Sequence, residues 1–192
     1  MPVILAAGQR WCRRAVMLPG PQPRSATYLI FSSGTLASSS TAGRDRSAAK
    51  FFIAHTYYWG DVHRKQLGKR AYAISPARTA LGLDLPYTFH QDTPVLPPDM
   101  LRTVQCAVTR STETGAVLGR EECISPLEAL RGVTVNAAYQ YFEEKEKGSI
   151  QVGKRADLVV LSANPLKVPA NEIGKIEVLV TIKEGSVQYR KA

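Results

Sequence analysis

The sequence predicts an α/β fold, with strands and helices alternating first and a small all-strand unit at the C-terminus. Three observations carry that expectation. The short apolar run Phe51-Phe52-Ile53-Ala54 ends in His55 and is followed by helix-compatible text. A second apolar approach (Leu83, Leu85, Tyr87, Phe89) runs into His90-Gln91-Asp92-Thr93-Pro94, and its prolines stop regular structure. After Gly148 the apolar period becomes that of strands. Strand, helix, strand, helix in this order is a repeated β/α pattern.

Taken in order, residues 1–50 stand apart. Proline and glycine cluster at Pro19-Gly20-Pro21-Gln22-Pro23, and small residues fill 37–43. Such a composition buries too little apolar area to offset chain entropy, so 1–50 reads as a low-complexity basic leader, loosely held. Thr27-Tyr28-Leu29-Ile30-Phe31 is its one strand-like segment. The leader is rich in arginine and serine and nearly free of acids. That composition fits an unstructured leader and also an organellar targeting segment, the lesser alternative to a cytoplasmic protein.

From Phe51 the text changes. An imidazole at the end of a buried strand, as at His55, suits either a metal ligand or a histidine that caps the strand. Thr56 to His63 is aromatic-rich and turn-like at Gly60-Asp61. A helix fits 64–72, weakened by Gly68. Ser75-Pro76 starts another, with serine as cap and proline in the first turn, and Gly82 stops it. His90 and Asp92 fit an ordinary polar loop or a catalytic pair at a strand end. Met100, Leu101, Val104 and Val108 fall at helical spacing.

Ser125-Pro126-Leu127-Glu128 has the spacing of a reciprocal cap. A further helix is expected over 136–147, its charged end Glu143-Glu144-Lys145-Glu146-Lys147 lying on a solvated face and Gly148 closing it. Asp157 to Leu161 reads as a buried strand. The alternation of Ile176, Val178, Val180 and Ile182 reads as a half-buried one, turning at Lys183-Glu184-Gly185 into Val187-Gln188-Tyr189.

Composition narrows the function classes. Most of the formal charge of +9 lies in 1–50, which holds seven cations against the single acid Asp45. The rest of the chain therefore has no phosphate-tracking face, which leaves nucleic-acid binding through the basic leader as the least favoured class. No apolar run approaches the ~20 residues that cross a bilayer, so no membrane is expected. Cys12, Cys106 and Cys123 are scattered and form no C-x-x-C pair, which suggests neither a disulfide framework nor a thiolate metal site.

The run His55-Thr56-Tyr57-Tyr58-Trp59-Gly60-Asp61-Val62-His63, then His90-Gln91-Asp92-Thr93-Pro94-Val95, then Ala107-Val108-Thr109-Arg110, resembles the C-terminal third of the family 3 amidohydrolases. Residues 148–161, Gly148-Ser149-Ile150-Gln151-Val152-Gly153-Lys154-Arg155-Ala156-Asp157 and the strand after it, are similar to the segment leading that superfamily's chain from barrel to β-sandwich. The resemblance runs from about Phe51 to Arg190. It implies a partial TIM-type β/α barrel over 51–147 and a β-sandwich segment over 148–192. It further implies a hydrolase of non-peptide, amide-like C–N bonds with a small-molecule substrate and a divalent metal, zinc by preference.

In that picture His55 ends the sixth barrel strand as a metal ligand. Asp92 ends the eighth as the catalytic carboxylate, taking the proton of metal-bound water, whose pKa the metal lowers to ~7. His63, His90 and Arg110 would bind substrate or orient the ligands. The family's first-strand His-x-His pair is absent, and no histidine precedes His55. The expectation is therefore a C-terminal piece of a larger enzyme, from a truncated or frame-shifted reading frame or from a fragment that assembles with a missing N-terminal half. Alone it would bind metal weakly or not at all and be inactive. A non-catalytic remnant or interaction module is the competing class, and an open barrel would favour homo-oligomers.

Overall fold

The computed structural model describes residues 3–6, 28–30 and 48–192. Expectations about the rest of 1–47 lie outside the described residues. Two sheets organise the chain. The first is parallel, with β2 (Tyr28–Ile30), β3 (Ala48–Phe51) and β4 (Tyr87–Phe89) side by side in that order. Register runs Tyr28↔Ala48 between β2 and β3, and Ala49↔Tyr87 to Phe51↔Phe89 between β3 and β4. The strand expected within 27–31 is thus present. The chain is α/β.

The second sheet is antiparallel, in the order β1 (Val3–Ala6), β5 (Leu158–Leu161), β6 (Val178–Lys183), β7 (Ser186–Arg190). β6 and β7 form a hairpin whose two-residue loop, Glu184-Gly185, takes positive φ at both positions (50° and 80°). That is the twist-matched turn such loops require. Two strands from the N-terminal stretch therefore enter the sheets, one in each.

Between β3 and β4 lie α1 (His55–Tyr58), α2 (Gly60–Leu67), a 3-10 turn (Gly68–Ala73) and α3 (Ala77–Gly82). After β4 come α4 (Met100–Thr109), α5 (Pro126–Val133) and α6 (Val135–Gln140). Helix α4 buries Met100, Leu101 and Val104 against the core, as their spacing requires. Asp99 caps it by accepting from the Arg102 N–H at 2.9 Å. The capping box of α5 is complete: the Ser125 hydroxyl accepts from the Glu128 N–H and the Glu128 carboxylate from the Ser125 N–H. Phe51, Phe89, Ile53, Val133, Val159 and Leu161 are fully buried in one cluster, so core packing joins the parallel sheet, its helices and β5.

Several local expectations need correction. β3 ends at Phe51, not at His55. The His90 N–H bonds to the Phe51 carbonyl at 3.0 Å, β4 offers no pairing beyond that point, and turn bonds take over: His55 N–H to Phe52 O, Thr56 N–H and hydroxyl to Ile53 O. The helix expected over 64–72 instead spans α2 and gives way at Gly68 (φ 56°) to the 3-10 turn, and Gly60-Asp61 opens α2 rather than turning the chain. Ser75 does not cap α3. The buried Glu122 carboxylate does, accepting the Thr79 N–H at 3.0 Å and the Thr79 hydroxyl.

The helix expected to reach Lys147 stops at Gln140. Phe142 turns left-handed (φ 61°) and the Glu143 N–H returns to the Ala138 carbonyl, so the charged run forms turns rather than a helix face. Gly148 (φ 89°) then packs on α6, where an added Cβ would lie 2.7 Å from Ala138 Cβ.

Candidate functional site

Three histidines gather where β3 and β4 end. His55 opens α1, His63 lies on α2, and His90 follows β4 directly. Phe52 sits between two of them, its ring 5.9 Å from that of His55 and 5.2 Å from that of His90. The His63 ring meets that of His55 edge-on at 5.0 Å. The aromatic run serves as packing here: Phe52 also touches Trp59, and Arg102 lies over the Tyr57 ring at 5.1 Å.

Burial governs the electrostatics. Desolvation, then the charges of His63, Arg110 and His90, push the His55 pKa down to about 3. Burial also lowers His63. His90 is lowered by burial and by Lys50, against a smaller opposing pull from Asp92. The cluster is therefore neutral at pH 7.

Asp92 lies three residues past β4, exposed and in a left-handed turn (φ 53°), with the Val95 N–H on its carbonyl at 2.8 Å. Gln91 beside it turns inward and donates to Asp99 O at 2.9 Å and to the Thr103 hydroxyl. Arg110 turns inward. It is fully buried, and its guanidinium donates to three backbone carbonyls: Leu118 (2.5 Å), Ser75 (3.1 Å) and Ile74 (2.7 Å). The described bonds of Arg110 are those of an orienting residue. His55 and Asp92 also do not sit two strands apart. β3 pairs directly with β4, so on a barrel their strands are consecutive, and the placement of His55 on a sixth and Asp92 on an eighth strand fails.

Two contributors escape sequence reasoning. Ser75 places its hydroxyl 3.0 Å from His55 Nε2, although Ser-Pro reads as a helix start. Asp61 grips the loop after α4: its carboxylate accepts from the Thr112 and Thr114 hydroxyls at 3.0 and 2.8 Å and from the Thr114 N–H. Gly60 allows this approach, since an added Cβ would fall 2.6 Å from Thr112 Cγ2. A Gly-Asp pair opening a helix is the only trace this leaves in the sequence.

Residues 41–189 match the model of the Amidohydrolase family. The chain belongs to the family 3 amidohydrolases. The N-substituted formamide deformylase of Arthrobacter pascens is 31% identical over 135 residues, which make up 69% of this chain and 25% of that protein. The chain thus spans about a quarter of that relative's length. Among solved structures, a metal-dependent hydrolase from Pyrococcus horikoshii shares 21% identity over 65% of this chain and 26% of its own, with a TM-score of 0.55. Escherichia coli guanine deaminase shares 17% identity over 77% of this chain and 35% of its own, with a TM-score of 0.54. At these identities the two structures speak for the fold alone.

The family implies a metal, and the donor set tests it. In favour, His63 Nε2 is buried with no hydrogen-bond partner among the described residues. Against, no three histidine, cysteine or carboxylate side chains converge among the described residues, and His55 Nε2 already faces Ser75. A catalytic zinc takes three protein ligands and keeps a position open. The residues present do not fit a complete metal centre.

No helix among the described residues is long and apolar enough to cross a membrane.

Proposed function

We propose that this chain is the C-terminal part of an amidohydrolase acting on non-peptide, amide-like C–N bonds of small molecules, and that it is inactive alone. The carrying observation is one of extent: the family match fills residues 41–189, yet the chain spans about a quarter of the formamide deformylase. In this reading 51–147, together with the start of β3 at Ala48, supplies the last strands of a barrel, β3 and β4 being two neighbours, and 148–192 supplies strands of the sandwich. Asp92 is the carboxylate that accepts a proton from the attacking water, and its exposed position past β4 leaves it open to the strands of a complementary half. That half supplies most of the metal ligands, and His55 is the one this chain would add to them. The cellular setting in this reading is the cytoplasm.

A non-catalytic remnant has one observation in its favour, the lack of converging ligands among the described residues. The test is turnover of simple formamides and acyl amides by the chain with and without added zinc, with calorimetric zinc titration and Asp92→Asn as control. No turnover and no stoichiometric zinc are expected. Tight zinc binding together with turnover abolished by Asp92→Asn would refute the reading. Turnover gained on adding an N-terminal amidohydrolase half would separate the enzyme part from the remnant.

A further inference from the structure

Ser75 occupies an unfavourable backbone region for a non-glycine residue, with φ at 47°, and is almost fully buried. Such a conformation persists only where the surroundings enforce it. Helix capping does not account for it: an N-cap residue is extended, and at α3 the capping acceptor is Glu122. The enforcing group is Arg110. Its guanidinium reaches across the fold to the carbonyls of Ile74 at 2.7 Å and Ser75 at 3.1 Å, and its Nε is anchored on Leu118 O. Arginine suits this task, because a rigid planar fork of donors fixes several acceptors at once. The Ser75 hydroxyl then stands 3.0 Å from His55 Nε2.

We infer that Arg110 is a positioning residue: by clamping the Ile74 and Ser75 carbonyls it holds Ser75 in its left-handed turn and seats the Ser75 hydroxyl on His55 Nε2, fixing that imidazole in one orientation and one tautomer. A serine hydroxyl can donate to a bare Nε2 or accept from Nε2–H, and the clamp holds one of these two pairings, which the two ring-nitrogen signals identify. Nε2 is thereby committed within the chain, and Nδ1 is the nitrogen left for a ligand. His55 then meets a metal or a substrate through Nδ1, or only after Ser75 releases Nε2. The inference rests on the geometry and does not depend on the hydrolase reading, so its test reads the ring and not turnover.

The experiment is long-range proton–nitrogen correlation NMR on the full chain with nitrogen-15-labelled histidine at fixed neutral pH, the His55 signals being assigned with His55→Asn. Ser75→Gly removes the hydroxyl and suits the left-handed backbone better than any residue with a Cβ, so it keeps the fold. The unsubstituted chain should show two well-separated His55 nitrogen signals, one protonated and one bare. Ser75→Gly should draw them toward the averaged values of a freely exchanging imidazole. Arg110→Lys, which never touches His55, should move the same pair while leaving His90 in place. Averaged signals in the unsubstituted chain, or signals unmoved by Ser75→Gly, would overturn the inference. His55 signals unmoved by Arg110→Lys would overturn the part given to Arg110.

Discussion

Burial, more than any partner charge, sets the state of the histidines. His55, His63 and His90 are all lowered from their ordinary value of 6.5, His55 to about 3. The unfolded chain takes up protons near pH 6.5 while the folded chain does not, so below that value the unfolded state binds more protons. Stability from this source is full above pH 6.5 and is lost as pH falls from there toward 3. Urea unfolding should therefore show a lower midpoint at pH 5.2 than at pH 7, in a window mostly above the carboxylates. His55→Gln should shrink that difference; an unchanged difference would show that His55 does not carry it.

Among the helices, α5 joins a good local signal to a tight tertiary contact. Its capping box satisfies two end N–H groups, and Glu128 also meets Arg78 at 3.4 Å. Ser125→Ala should cost about 1 kcal/mol in denaturant unfolding. One turn further along, Gly132 lets Phe89 of β4 lie against the helix, where an added Cβ would fall 2.7 Å from Phe89 Cε2. An alanine favours a helix interior by up to ~1 kcal/mol over glycine. Here the clash should win, with Gly132→Ala destabilising by about 1–3 kcal/mol. A neutral or stabilising result would mean that β4 and α5 can separate at little cost.

Taken as a molecule, the chain leaves apolar surface uncovered. β7 is an exposed edge strand, with Val187 at 52% and Tyr189 at 38% exposure. Leu158, Val160, Val180 and Ile182 share one face of the antiparallel sheet by register and are only half-buried. Unpaired edges beside apolar faces promote association. Size-exclusion with light scattering should show mass rising with concentration over the micromolar range. A monomer at every concentration would show that the edge and face are better protected than their exposure implies.

Much was legible in the residues. Local chemistry announces itself where it is sufficient: the Ser125–Glu128 cap, the apolar stripe of α4, the Glu184-Gly185 turn and the strand alternation after Gly148 each depend on neighbours within a few positions. The motif runs around His55, Asp92 and Asp157 were likewise enough to point to the family, since a motif is a property of the chain. The site was not legible in the same way. Ser75 beside Pro76 reads as a cap, and only packing reveals that Glu122, 43 residues away from Thr79, has taken that task and freed the hydroxyl for His55. Arg110 reads as a substrate-facing cation until its burial and three carbonyl acceptors turn it inward. The pairing of β3 with β4, which makes the strands before His55 and Asp92 neighbours, is a long-range hydrogen-bond pattern with no local trace. Short-range propensity fixes caps and turns, whereas the partner of a buried polar group depends on which distant segment reaches it first, and that depends on the packing of the chain as a whole.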